Sequence, residues 1–321
     1  MTPLEAILRD EIAQNGPIPF ARLMELALYH PSLGYYTREQ DPFGRGGDFF
    51  TAEQLQPVYG RLMASTFADL RREMGEPDDF RVVELGAGRQ EMAEAFTAFG
   101  YIPIERNSGQ LPEQIAGVVF ANEFFDALPV EVAARRGELW IERLVTFENS
   151  RFVFVDGGSV SPQALDYLAC VPPEQTSVEL HFESIAWLKR IANRLERGYV
   201  LIVDYGYTNR EALRLVDGSL MSYRGHVASE QVLADPGERD ITSHLPFSVL
   251  MEEGRKAGLE TARFETLRQF LVRVGERDQF AEAVRGGHEM QLKTLLYGLG
   301  ETFRVLLLQK KNGAAEATPS G

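Results

Sequence analysis

The sequence predicts an α/β fold: one elaborated domain around a largely parallel sheet, with a helical extension before it and β-hairpins inserted into it. Three observations predict this. Apolar runs of strand length, RVVEL at 81–85, GVVFA at 117–121 and GYVLIVDYG at 198–206, are separated by stretches long enough for helices. Residues 131–155 carry β-rich runs around Arg136-Gly137 and Asn149-Ser150, as antiparallel hairpins do. The start, MTPLEAILRDEIAQNG, reads as a capped helix, with Thr2 at the cap, Pro3 in the first turn, Glu5 closing a capping box and Gly16 as the stop.

The elements follow in order. Pro19 to Tyr29 is a second short helix, and the glycine- and aromatic-rich stretch from His30 to Gln54 is loop. Gln56 to Met74 is helical. After the strand at 81–85 the pattern gives a helix over about 90–99, a strand at 101–105 and a strand at 117–121. A helix is expected near Val178–Glu196, before the buried strand 198–206. Pro246–Gly258 reads as a helix ending in glycine, 260–265 as a strand, 279–298 as a helix and 303–309 as a final strand.

Composition narrows the function. With 33 Lys and Arg against 47 Asp and Glu, the net charge of -14 disfavours nucleic acid and anionic membrane and suits a basic partner. No apolar run approaches the ~20 residues of a membrane span, so no membrane insertion is expected. The single cysteine, Cys170, excludes an internal disulfide and fits a reducing cytosol. The charged N-terminus does not read as a signal peptide, and a cytoplasmic location is the expectation. The five histidines show no spacing that suggests a metal site.

The stretch VVELGAGRQE, 82–91, carries the first chemistry. Glycines after a parallel strand let the backbone turn tightly and bring peptide N–H groups against a ligand. A dinucleotide fingerprint needs a small third residue, but Glu91 stands there, facing where a pyrophosphate would sit. S-adenosylmethionine has no phosphate. For that ligand Glu84 belongs beside the cationic methionine part, Gly86 and Gly88 form the turn, and Glu105, ending YIPIE, can accept both ribose hydroxyls. The alternative is that Gly86 and Gly88 make only a βα turn and that Glu105 is a surface residue.

Further motifs run in order along the chain: YHPSLGYYT (29–37), GGDFFTAEQLQPVYG (46–60), VVELGAG (82–88), GVVFANEFFDALPVEV (117–132), GYVLIVDYGY (198–207), DGSLMSYRGH (217–226), DITSHLPFSVL (240–250) and MQLKTLLYGLGETFRVLLLQ (290–309). Through them the chain, from Tyr29 to Gln309, resembles the MidA-type family of S-adenosylmethionine-dependent methyltransferases, which includes a mitochondrial complex I assembly factor that methylates an arginine. The resemblance implies a class I, Rossmann-like methyltransferase sheet with β-hairpin insertions. Residues 1–60 would form a helical extension packing on a core at 61–310, with 311–321 a disordered tail. It also implies S-adenosylmethionine as cofactor and a protein substrate, a respiratory-complex subunit or another arginine-bearing protein; the oligomeric state stays open.

Two features depart from the family pattern. Gln90 replaces a small residue of the glycine-rich turn, where a side chain would narrow the cofactor pocket. The interval from Gly88 to Val118 has room for only one helix and one strand, so a further helix–strand unit, which would flank the adenine, is missing. YIPIE is aligned with the second strand; in the competing register it joins the loop before GVVFANEFFDALP, and no ribose carboxylate remains.

Catalytic candidates lie in ANEFFDALP, after an apolar strand, where open α/β sheets bind ligands. Methyl transfer is an in-line displacement that needs positioning more than acid–base power. An arginine acceptor stays protonated, so carboxylates must fix its planar fork. Glu123 and Asp126, beside Asn122, are the nearest supply. Asp126 reads equally as a cap or part of a buried polar network. Asp48, on the GGDFF loop, is a cofactor-binding candidate or a turn residue. Asp204 and Tyr205 end a second buried strand. Tyr223, Arg224, His226, Asp240 and His244 sit in two polar loops, with His244 a proton acceptor, a substrate contact or a structural histidine. Phe124, Phe125 and Leu128 read as core. Three functions follow: an arginine methyltransferase, a methyltransferase for another acceptor, and a binding or assembly protein that keeps the fold without transfer.

Overall fold

The computed structural model describes residues 2–37, 52–106 and 109–310, so Asp48 and the 311–321 tail lie outside the described residues. The chain divides into two compact units, each built from three stretches. Residues 1–51, 125–185 and 205–249 form the first, and residues 52–124, 186–204 and 250–321 the second.

The second unit holds the expected α/β sheet. Its strands lie in the order Leu259–Thr266, Phe303–Lys310, Leu195–Tyr207, Ile115–Asn122, Arg81–Leu85 and Ile102–Ile104. Arg81–Leu85 pairs in parallel with Ile115–Asn122 on one side and Ile102–Ile104 on the other. Every residue of Ile115–Asn122 is buried, as a central parallel strand covered on both faces requires. This strand approaches its neighbours closely at Gly117, where φ is +147° and an added Cβ would lie 2.0 Å from the carbonyl oxygen of Arg81. Helix Val58–Glu73 packs on the sheet through Phe67, whose ring centroid lies 5.5 Å from that of Phe120 and 4.9 Å from that of Phe96. Burying each such ring contributes about 1.5–3 kcal/mol.

YIPIE is the second strand: Ile102 pairs with Val83 and Ile104 with Leu85. Among the described residues nothing pairs beyond it, so Ile102–Ile104 is the sheet edge. The link back to Ile115, residues 105–114, is shorter than the dozen or so residues of a helical crossover. Among the described residues no helix or strand lies between Ile102–Ile104 and Ile115–Asn122. The helix expected at 90–99 is cut to Ala93–Phe96 with a 3-10 turn at Thr97–Phe99, because left-handed residues stand on either side of it, Gln90 (φ 57°) and Gly100 (φ 59°).

The first unit is built on an antiparallel sheet in the order Ile18–Pro19, Leu139–Glu148, Glu131–Arg136 and Ser177–Leu180, with Arg151–Ser159 paired to Leu139–Glu148. The hairpins are thus where the turn residues place them. Helices Pro3–Asn15 and Phe20–Tyr29 bury Leu4, Leu8, Phe20 and Leu23 with Val132, Val145 and Phe152 of this sheet and with Val130 just before it. Thr2 caps the first helix by accepting the Glu5 N–H at 3.1 Å. A small sheet of Met221–Arg224, Val227–Ser229 and Asp240–Thr242 completes the unit.

Two helix expectations are corrected. Residues 177–180 form a strand, because Val178 and Leu180 are buried in pairing with Glu131–Arg136, and the helix starts at Phe182. Residues 279–298 do not form one helix. Gln279 and Phe280 take left-handed φ, Gly286 and Gly287 follow, and only Glu289–Thr294 is α-helical before a π turn at Leu295–Leu299. No described helix is long and apolar enough to cross a membrane.

Candidate active site

The second unit places Glu84, Glu105 and Glu123 at the carboxyl ends of its strands, with the charges of Glu53 and Glu91 acting on the same group. Strand Arg81–Leu85 delivers Glu84 and then turns at Gly86, whose φ is +70° and whose N–H donates to the Ile104 carbonyl at 2.8 Å. That bond ties the turn to the second strand. Gly88 follows with φ +50°, and its N–H donates to the Glu105 carboxylate at the end of that strand. Gly86, Gly88 and Glu105 are therefore brought together.

Gln90 also takes a left-handed φ, and its N–H donates to the Ala87 carbonyl at 2.6 Å. A small residue is favoured here for its backbone freedom, since a side chain in this conformation costs about 1 kcal/mol. The Gln90 side chain is exposed. The departure at this position is one of backbone conformation.

Glu84 is 1% exposed. The Tyr101 hydroxyl donates to its Oε2, whereas Oε1 is buried without a hydrogen-bond partner among the described residues. Burial pushes its carboxyl up to about 7, against the Tyr101 hydrogen bond and with Glu105 and Glu91 adding to the rise. An orphaned buried acceptor calls for a donor or a cation from a ligand. The ammonium and sulfonium of S-adenosylmethionine fit that need.

Glu53, which sequence reasoning missed, sits on the 3-10 turn Ala52–Gln54 and is 7% exposed. Burial lifts its carboxyl well above the ordinary value, and Glu84, Glu123, Glu91 and Glu105 lift it further, in that order. It stands in GGDFFTAEQ, a motif already singled out, but on a short turn that no periodicity marks.

Strand Ile115–Asn122 delivers the remaining pair. Tyr59 donates to Asn122 Oδ1 at 2.7 Å, which turns the amide so that Nδ2 donates to Glu123 Oε1 at 3.2 Å. The Ala52 N–H donates to the same oxygen at 3.1 Å. Glu123 itself has φ +49°, and its N–H donates to the Val203 carbonyl at 2.9 Å. A non-glycine residue held left-handed at a strand end carries strain of about 1–3 kcal/mol, which the bonds around Glu123 hold in place. Phe124 packs edge-on against Trp187, with ring centroids 5.2 Å apart, and its Cδ2 lies 2.9 Å from where a Gly86 Cβ would stand. Asp204, at the end of the neighbouring strand, is fully buried.

The other candidates belong to the first unit. Asp126 is buried with Asp240, which accepts the Tyr36 hydroxyl at 2.9 Å. Burial and then the Asp240 charge push the Asp126 carboxyl to about 7, opposed by the backbone N–H groups of Ala127 and of Asp126 itself. Asp126 and Asp240 are thus both part of a buried polar group. His244 stacks on Tyr205, with centroids 6.2 Å apart, and its N–H donates to Ser219 Oγ at 2.9 Å. Burial lowers its imidazole below the ordinary value. Tyr223 and Arg224 lie in strand Met221–Arg224, and His226 takes a left-handed φ in the turn after it. Phe125 and Leu128 are fully buried, as expected of core.

Comparison with known proteins gives this geometry its context. Residues 104–265 match the family model described as "Putative S-adenosyl-L-methionine-dependent methyltransferase". A crystal structure of a Burkholderia thailandensis protein bound to S-adenosyl-homocysteine is 30% identical, with a TM-score of 0.85 over 95% of this chain and 91% of that one. Among curated proteins, the Drosophila melanogaster "Protein arginine methyltransferase NDUFAF7 homolog, mitochondrial" is 26% identical over 88% of this chain and 80% of its own length. The Homo sapiens protein arginine methyltransferase NDUFAF7, also named mitochondrial, is 26% identical over 86% of this chain and 74% of its own. The mitochondrial naming of these relatives overturns the cytoplasmic expectation, which rested on one cysteine and a charged N-terminus. The sheet is a class I methyltransferase sheet, and S-adenosylmethionine is the cofactor of an enzyme built on it. The chain belongs to the S-adenosylmethionine-dependent methyltransferase family.

Proposed function

We propose that this methyltransferase modifies an arginine side chain of a protein, with Glu123 as the carboxylate that holds the acceptor. The observation that carries the reading is the Glu123 carboxylate itself. It stands at the carboxyl end of a central strand, in left-handed backbone, oriented through Oε1 by Ala52 and by the Tyr59–Asn122 pair. A guanidinium presents a planar fork of donors, and a fixed carboxylate aligns that fork for in-line attack. The S–CH3 bond breaks as the N–CH3 bond forms, sulfur keeps the bonding pair, and the nitrogen gives up one proton to the Glu123 carboxylate, which passes it to solvent. The naming of the curated relatives as protein arginine methyltransferases supports the acceptor type. The net charge of -14 favours a basic partner.

In this reading Asn122 positions Glu123, while Asp126 fixes the backbone of the first unit. Glu84 faces the methionine ammonium, Gly86 and Gly88 let the turn approach the cofactor, and Glu105 takes the ribose hydroxyls. Glu105→Ala should therefore weaken S-adenosylmethionine binding by roughly 1.5–3 kcal/mol, the worth of a charge-assisted hydrogen-bond pair. Calorimetric titration measures it, and an unchanged dissociation constant removes Glu105 from the site.

The acceptor is tested by transfer of a radiolabelled methyl group into a lysate of the native organism lacking this protein, followed by mass spectrometry of the labelled site. Label on arginine is the expected result. Label on another residue type replaces the acceptor and overturns the arginine reading. Absence of label, with cofactor binding measured in the same preparation, overturns transfer to protein altogether.

A further inference from the structure

We propose that Glu53, acting with Glu84, is a cofactor-contacting residue that makes this site prefer the cationic cofactor to its uncharged demethylated product. S-adenosylmethionine carries an ammonium, a sulfonium and a carboxylate, a net charge of about +1. Its product keeps the zwitterion and loses the sulfonium charge. A pocket that reads this difference needs buried negative charge without a resident counter-ion.

The second unit supplies it. Glu53 and Glu84 are both more than nine-tenths buried. The N–H of Ala52, the residue before Glu53, donates to Glu123 Oε1 at 3.1 Å, and the charges acting on Glu53 are those of Glu84, Glu123, Glu91 and Glu105. Those on Glu84 are Glu105 and Glu91, with the Tyr101 hydroxyl on Oε2. Tyr59, from helix Val58–Glu73, gives its proton to Asn122 rather than to a glutamate. Arg89 is engaged with Glu91 at 2.7 Å. The independent sign of a ligand is Glu84 Oε1, fully buried with no hydrogen-bond partner among the described residues.

Burial holds the carboxyls of Glu53 and Glu84 above their ordinary values, so this pair keeps a proton near neutral pH in the cofactor-free protein. A bound sulfonium and ammonium offset the repulsion and release that proton, whereas the product offsets less of it. The sign follows. Cofactor affinity rises as pH rises through about 7, where Glu84 titrates, and product affinity follows pH less steeply. Transfer then weakens the hold on what remains and favours its departure.

The test is calorimetric titration of the full chain with S-adenosylmethionine and with S-adenosylhomocysteine, at pH 7 in two buffers of different ionisation enthalpy. For the wild type, the heat with the cofactor should differ between buffers by the signature of proton release, and the heat with the product should differ less. Glu53→Gln should lower cofactor affinity about tenfold, the scale of one nearby charge in a partly screened site. Product affinity should stay within about twofold, and this also reports that the variant is folded. Equal proton release for the two ligands, or a Glu53→Gln variant that loses both affinities or neither, overturns the proposal. These readouts involve no methyl acceptor, so they stand apart from the arginine reading.

Discussion

Glu123→Gln is expected to cut methyl transfer by about 10²–10³-fold while cofactor affinity stays within a few fold. The magnitude is that of removing one preorganised electrostatic contact made in the transition state. The substitution is selective for a structural reason. Ala52 and Asn122 both donate to Oε1, and an amide oxygen can keep both bonds. The other oxygen becomes an NH2 group, a donor set against the donors of a guanidinium. Size and the left-handed backbone are retained, so the thermal midpoint should hardly move. Single-turnover transfer and calorimetry, run on the same preparation, separate the two quantities. Equal loss of binding and transfer would mean that Glu123 holds the cofactor, and unchanged transfer would take it out of the reaction.

Which features were legible in the sequence follows from where their causes lie. Strand–turn chemistry is local, so RVVELGAG and GVVFAN gave the central strands within two residues, and the absent helix–strand unit was countable from chain length alone. The position of YIPIE could be left open in sequence because its register depends on pairing, Ile102 with Val83. Residues 177–180 carry a helix-compatible pattern but pair as a strand, since only the fold supplies Glu131–Arg136 beside them. Helix Leu267–Gly275 was missed although its signal is local. Thr266 and Gln269 form a full capping box, which TLRQ spells out.

Among the candidate residues, Glu84 near the end of a strand, Gly86 and Gly88 in the turn after it, and Glu105 and Glu123 directly after strands were legible from position. Glu53 was not, because its place among the carboxylates depends on a short turn that no periodicity marks. Asp126 shows the opposite limit. Three residues after Glu123, it read equally as an acceptor carboxylate and as part of a cap or buried network, and what the fold adds is its burial beside the Asp240 charge. Spacing gave proximity along the chain; the network around each carboxyl decides what it can do.

Gly86→Val should abolish cofactor binding, by at least about 100-fold, in a protein that stays folded. Two costs coincide at this residue. Its φ of +70° lies in the left-handed region, where a β-branched side chain is a true outlier costing about 1–2 kcal/mol or more. Its Cβ would also stand 2.9 Å from Phe124 Cδ2, closer than real contacts allow, and the Phe124 ring is braced by Trp187. The turn must therefore move. Because the Gly86 N–H is bonded to Ile104, that movement disturbs the strand that ends in Glu105, and the two halves of the cofactor site lose register. The strand before the turn pairs on both sides and should survive, so the far-ultraviolet circular dichroism should match the wild type and the melting point should fall by only a few degrees. Adding Phe124→Ala to Gly86→Ala separates the causes: it removes the clash and leaves the backbone strain, so partial recovery of binding identifies the ring as the obstacle. Wild-type affinity in Gly86→Val would show that the cofactor does not lie on this turn.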